Sequence, residues 1–214
     1  MVNFPTKKTK TWMINRRTHI FGIGINDADY VTEIKIDGRR IKCPFSVVWK
    51  NMIMRCYCDK YQKMNTTYIG CTVCEEWLLF SNFKAWMEQQ DWIGKELDKD
   101  IIKFGNKVYS PETCCFISTK INCFLLDSAK NRGSYPIGVS WHKGANKFRS
   151  YCKNNGKVEC LGNYLTADEA SAAYYKRKNE IIYEIAMQQT DLRVRNGLLY
   201  RISKPYAKAR NHNI

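Results

Sequence analysis

Residues 135–185 constrain the fold more than any other stretch of the chain. They hold three short segments of strand character: GVSWH (138–142), KFRSYCK (147–153) and VECLGNY (158–164). The connectors, KGAN and NNGK, have the Gly and Asn content of tight turns. A long helical segment follows from Thr166. Thr166 and Glu169 have the T-x-x-E spacing of a capping box, in which each side chain satisfies an orphan amide of the first turn. Ala170, Ala173, Tyr174, Ile181 and Ile182 fall on one side of that helix. One helix covers one face of a three-stranded sheet and leaves the other open. Strict alternation in the middle strand sends Phe148, Ser150 and Cys152 toward the helix and Arg149, Tyr151 and Lys153 outward. A basic, aromatic sheet face of this kind fits the major groove of a duplex, where side chains reach phosphates and base edges.

The charge balance points to the same class of partner. Lys and Arg number 35 against 20 Asp and Glu, a formal net charge of +15. Such an excess suits a polyanion, because each cation set on a phosphate releases condensed counterions. Hydrophobic residues make up 44% and aromatic residues 13%, which is enough for a packed core. No apolar run approaches the roughly 20 residues that span a bilayer. The N-terminus, MVNFPTKKTKTW, is basic but has no apolar segment behind it, so it does not read as a secretory signal. The ten cysteines are therefore expected in a reducing, cytoplasmic compartment, as core residues, metal ligands or reactive thiols.

Upstream, residues 1–20 read as a basic arm. VTEIKIDGRRIKC (31–43) alternates on both sides of Asp37-Gly38, a pair that supplies the positive-φ residues of a hairpin turn. FSVVWKNMIMRCY (45–57) places Val48, Met52 and Cys56 at helical spacing. EEWLLFSNFKAWMEQQ (75–90) predicts a second helix carrying Trp77, Leu78, Phe80, Phe83 and Trp86. STKINCFLLDSAK (118–130) predicts a third, with Ser118 as N-cap. RGSYPIG (132–138) breaks the pattern and marks a domain boundary. The end of the chain, 186–214, reads as a basic tail.

The residues GVSW (138–141), KFR (147–149), LGNY (161–164) and TADEA (166–170), followed by Ala173 and Tyr174, resemble the Apetala-two/ethylene-response-factor DNA-binding domain over about residues 135–180. In that family a three-stranded antiparallel sheet docks in the major groove and a helix backs it. The resemblance implies DNA-facing positions at Ser140, His142, Arg149, Tyr151, Lys153, Val158 and Cys160, with phosphate contacts from Lys143 and Lys147. Arginines and tryptophans of the plant proteins are replaced here by Ser140, Val158 and Cys160, so base preference does not carry over. Structured RNA is a weaker alternative partner, because Tyr151 is the one aromatic expected on that face.

WKNMIMRCY (49–57), YIGCTVCEEW (68–77), Phe80 with Phe83, LDKDI (97–101), GNKVYSPETC (105–114) and Asn122 together resemble phage HNH proteins of the homing-endonuclease type, which frequently carry an Apetala-two domain behind. An HNH finger is a two-stranded ribbon followed by a helix, around one divalent metal. A histidine at the strand end takes a proton from water, and the metal stabilises the leaving oxygen. The resemblance puts Asp98 at the acid position, Lys99 where histidine is usual, Glu112-Thr113 near the middle Asn and Asn122 on the following helix. The three histidines, His19, His142 and His212, lie outside the expected finger. A lysine near its normal pKa is protonated at neutral pH and is a poor base. Asp100 could activate the water with Asp98 and Asn122 on Mg²⁺, His19 could swing in, or the finger could be a scaffold without chemistry.

Cys56-x-Cys58 and Cys71-x-x-Cys74 have the form of a tetrahedral Zn²⁺ site. A core role explains Cys56 at the end of its helical stripe equally well, and Cys71 and Cys74 could fill a turn before Trp77. The sequence thus predicts an α+β protein. Its first domain, 21–131, is an HNH-like ββα unit with added helices. Its second, 135–185, is a three-stranded antiparallel sheet packed on one helix. The expected function is metal-dependent cleavage of double-stranded DNA, with Mg²⁺ held by Asp98, Asp100 and Asn122. The alternative is a catalytically inactive DNA-binding regulator or effector on a degenerate HNH scaffold.

Overall fold

A computed structural model of the chain describes residue 4, residues 7–125 and residues 134–203. Within these bounds the protein is a mixed α+β structure of helices and small sheets. It divides into two compact units, Met1–Thr119 and Lys120–Ile214. The expected boundary segment 132–138 falls partly, and the far end of the helix expected over 118–130 and residues 204–214 of the basic tail fall wholly, outside the described residues; the rest of the tail, 186–203, is largely helical. Among the described residues, no helix is long and apolar enough to cross a membrane.

The first unit opens with a short helix, α1 (Thr11–Asn15), and a two-stranded ribbon, β1 (Glu33–Ile36) and β2 (Arg39–Lys42). The turn between them is Asp37-Gly38, with φ of 48° and 78°, as the two positive-φ positions of a two-residue hairpin require. Helix α2 (Pro44–Tyr57) starts with proline in its first turn, where the missing N–H costs nothing. Its buried face is Ser46, Trp49, Met52, Ile53 and Cys56. Val48, expected on that face, is only half-buried. Helix α3 (Asp59–Met64) follows, then strand β3 (Thr72–Val73).

The helix expected over 75–90 is interrupted. A 3₁₀ turn at Glu75–Leu78 is separated from α4 (Phe80–Glu88) by Leu79, which is extended. The cause is long-range pairing. Ile25 N–H donates to Leu78 O at 2.8 Å, and Phe80 N–H donates to Ile25 O at 3.0 Å. Asp27 then caps α4, accepting from the amide of Ser81 at 2.8 Å and from its hydroxyl. The core gathers Trp49, Met52, Ile53, Trp77, Phe80, Phe83, Met87 and Tyr109. The Trp49 indole N–H reaches Trp77 O at 2.7 Å, so the buried ring carries no orphan donor. Strand β5 (Val108–Tyr109) pairs in parallel with β3, and β4 (Lys95–Asp98) pairs antiparallel with β6 (Cys115–Ser118). Helix α5 (Thr119–Leu125) leaves β6 directly. Ser118, the last residue of β6, immediately precedes α5 and so stands at the N-cap position expected of it.

In the second unit β7 (Val139–His142), β8 (Lys147–Asn154) and β9 (Lys157–Tyr164) form an antiparallel sheet in that order. Asn155-Gly156, with φ of 50° and 80°, closes the β8–β9 hairpin. Helix α6 (Ala167–Met187) begins with both halves of the expected capping box. It buries Ala170, Tyr174, Lys178, Ile181, Ile182, Ile185 and Ala186, and α7 (Leu192–Ser203) packs back on it through Val194, Gly197 and Leu198. Helix and sheet approach closely at Gly138. A Cβ built there would lie 2.2 Å from the Tyr174 ring, and its φ is +75°.

Candidate nucleic-acid interface

Cross-strand register settles which side chains share the open face of the sheet. Val139 opposes Ser150 and Trp141 opposes Phe148, while Ser140 opposes Arg149 and His142 opposes Lys147. Opposed residues project to the same side. Ser150 and Cys152 are buried, and Lys147, Tyr151 and Lys153 are exposed. The open face therefore carries Ser140 and His142 from β7, and Lys147, Arg149, Tyr151 and Lys153 from β8.

Strand β9 would be out of phase without an irregularity. The register shifts between Ser150 and Tyr151, so that Ser150 opposes Gly162 while Tyr151 opposes Cys160. Leu161 is the extra residue of a bulge, which restores the alternation one step later. As a result Asn163, Cys160 and Val158 all join the open face, opposite Arg149, Tyr151 and Lys153. Glu159 goes to the other side. There Arg177 of α6 donates to it from Nε at 2.7 Å and from Nη2 at 3.2 Å, which holds its carboxyl below the ordinary value of 4.5. Glu159 is the one acid in residues 138–164. The open face consequently holds cations and neutral polar groups and no carboxylate.

Arg149 stands at its centre, and its guanidinium is already positioned. Nε donates to Asn163 Oδ1 at 3.2 Å, and Nη2 lies 3.1 and 3.0 Å from the two ring nitrogens of His142. Held in this way, the side chain has less rotamer freedom to lose on meeting a ligand. Lys143 is exposed on the 3₁₀ turn Lys143–Ala145 between β7 and β8. Asn163 escaped the sequence reading because its side of the sheet depends on the bulge. The Gly162 beside it was the available signal, since glycine inside a strand marks such irregularities.

The acids after β4 have local partners. Asp98 Oδ1 accepts from the amides of Asp100 at 2.9 Å and Ile101 at 2.7 Å, so the carboxylate closes the turn that ends its own strand. Lys99 is buried, and its Nζ donates to Asn106 O at 2.9 Å and lies 3.6 Å from Asp100. Asn106 returns the contact, donating to Lys99 O at 2.7 Å and Val108 O at 2.6 Å. Lys99 and Asn106 thus clamp the 99–107 loop shut, a role the sequence did not suggest. Asp98 and Asp100 lie together at this turn in the first unit; Asn122, half-buried on α5, belongs to the second unit. His19 is exposed and lies just before the Ile20–Gly24 bridge.

Among the described residues no three His, Cys, Asp or Glu side chains form a group able to hold a metal ion. Cys56 and Cys71 are buried, and Cys58 and Cys74 are half-buried. Burial pushes the Cys56 thiol up to about 12 and the Cys74 thiol up to about 11. The Cys71 thiol is turned toward Thr67 O at 3.9 Å. Cys56 and Cys71 are thiols of a packed interior, and the described residues give the zinc reading no support. Comparison with protein-family models, with curated proteins and with solved structures finds no match.

Proposed function

We propose that this protein binds double-stranded DNA through the open face of its β7–β8–β9 sheet. One observation carries the reading. Alternation, register and the Leu161 bulge bring Lys147, Arg149 and Lys153 onto one face with Tyr151, His142 and Asn163, while Glu159, the one acid of residues 138–164, is turned away and paired with Arg177. The lysines meet phosphates, and Arg149, with its fork fixed between His142 and Asn163, reaches a base edge or a phosphate bidentately. The resemblance to Apetala-two domains agrees with a sheet laid in the major groove.

The test is fluorescence anisotropy of a labelled duplex of mixed sequence across a salt series. Each cation set on a phosphate contributes about 0.9 to the slope of log affinity against log salt. Replacing Lys147 and Lys153 together with glutamine should lower that slope by about 2 and weaken every duplex sequence alike. An unchanged slope would remove the sheet from the interface.

A second reading is metal-dependent phosphodiester hydrolysis by an HNH-like first domain. It is favoured by the order of elements: an antiparallel ribbon, β4 with β6, whose second strand runs straight into a helix, with Asp98 at the end of the first strand. In this reading Asp98 would help to hold Mg²⁺, and Asp100 would take the proton from water. The buried Lys99 is committed to the 99–107 loop and contributes no base. Plasmid nicking in Mg²⁺ or Mn²⁺, abolished by EDTA and by Asp98→Ala/Asp100→Ala, would establish it. Binding of DNA from the protein's own source without nicking would leave a DNA-binding scaffold.

A further inference from the structure

The β1–β2 ribbon has no role in the interface described above, and its construction asks for a partner. Among the described residues its two strands pair only with each other, and every residue from Lys35 to Lys42 is exposed. A lone two-stranded hairpin is marginal in water. This one is also arranged against itself. Lys35 lies directly opposite Arg40, and Glu33 opposite Lys42. Like charges paired across strands are destabilising. Arg40 has a long contact to Glu33 at 3.4 Å, with three-quarters of its side chain in solvent, a pairing of little worth. Among the described residues neither Lys35, Arg39 nor Lys42 has an ion-pair partner. Alternation puts Lys35, Arg40 and Lys42 on one side, with Glu33 the only acid among them. Ile34, Ile36 and Ile41 share the other side with Arg39, and Ile36 and Ile41 are each 40% exposed.

We propose that the β1–β2 ribbon is a second DNA-contacting element, which lays its Lys35–Arg40–Lys42 side against the phosphates at a groove of the duplex. A two-stranded ribbon has the width the major groove admits. Phosphates are the partner that turns the Lys35–Arg40 repulsion into a gain, because both cations then face anions rather than each other. The two-residue Asp37-Gly38 turn keeps the ribbon tip narrow. The proposal rests on the reading that the chain binds duplex DNA, but not on the sheet face.

The test compares four full-length proteins for duplex affinity by anisotropy across a salt series. They are the wild type, Lys35→Gln/Arg40→Gln/Lys42→Gln, the charge-keeping Lys35→Arg/Arg40→Lys/Lys42→Arg, and the sheet variant Lys147→Gln/Lys153→Gln. The glutamine ribbon variant should bind about 10-fold or more weaker near physiological salt, with its slope reduced by about 3. It should at the same time unfold at about the wild-type urea concentration, because the Lys35–Arg40 repulsion is lost together with the weak attractions of Arg40 and Lys42 to Glu33. The charge-keeping variant should bind as the wild type does. A glutamine ribbon variant that binds DNA with wild-type affinity and slope, beside a sheet variant that is weakened, would overturn the ribbon proposal alone. A wild type that binds no duplex would overturn the DNA-binding reading and the ribbon proposal with it. Loss of binding in the charge-keeping variant would also overturn the ribbon proposal, since phosphate contacts need only the cations.

Discussion

Ser150 and Arg149 are neighbours on β8 and face opposite environments. Ser150 is fully buried between sheet and helix, and its hydroxyl has no hydrogen-bond partner among the described residues. An unsatisfied buried polar group costs about 1–3 kcal/mol. Ser150→Ala should therefore leave the protein as stable or raise its stability by about 1 kcal/mol, read from urea midpoints, with DNA affinity unchanged. Arg149→Ala should do the reverse. It removes the fork held by His142 and Asn163, so stability should stay within about 0.5 kcal/mol while duplex affinity falls by about 1–3 kcal/mol. The same scale shows the limit of residue types as signals. Asp98, Lys99 and Asp100 have the composition of a catalytic strand end, and in the fold Asp98 accepts from two local amides while Lys99 reaches a loop carbonyl and lies 3.6 Å from Asp100. Chemistry and turn closure use the same side chains, and only partner geometry tells them apart.

At the scale of elements, the sheet–helix layer depends on one glycine and one ion cluster. Gly138 combines a positive φ with the near collision against Tyr174. Gly138→Ala should cost about 2–4 kcal/mol, the sum of a left-handed backbone penalty and overpacking, and should show as an earlier unfolding transition. Glu159 ties β9 to α6 through Arg177, which also reaches Glu180 at 3.2 Å and Glu184 at 3.8 Å. Because the folded Glu159 titrates below its ordinary 4.5, its contribution is fully present above that value and is lost as pH falls through the lower folded one. The difference in urea midpoint between wild type and Glu159→Gln should be largest at neutral pH and vanish in strong acid. A difference that grows on acidification would contradict the assignment. The alternation of β8, the two X-Gly turns and the Thr166 capping box were legible because each is a short-range pattern. The break in the helix at Leu79 was not, because the backbone there is recruited by Ile25, more than fifty residues away.

For the whole molecule, the excess of positive charge is a statement about partners. If the open sheet face and the β1–β2 ribbon both engage the duplex, their cations with Lys143 make about seven phosphate contacts. The salt slope should then be about −6, and affinity should fall by about 10³–10⁴ between 50 and 200 mM salt. A slope of about −3 to −4 would mean that only one element touches DNA. The division into two units gives these elements to different parts of the chain, the ribbon to the first and the sheet to the second. Removing one should therefore lower the slope without abolishing binding.

By itself the sequence determined the secondary elements that rest on local chemistry. Hairpins form where Asp-Gly or Asn-Gly supplies positive φ, helices start where Pro44 or Thr166 fits the first turn, and a basic stripe follows from alternation along β8. The tertiary structure decided what each pattern meets. It put Asn163 beside Arg149 by one bulged residue, drew Glu159 off the cationic face onto Arg177, and buried Lys99 against a carbonyl seven residues on. The physical reason is range. Turn and cap energies are fixed within about four residues, whereas the side of a sheet, the burial of a charge and the partner of a carboxylate depend on segments brought together only when the core forms.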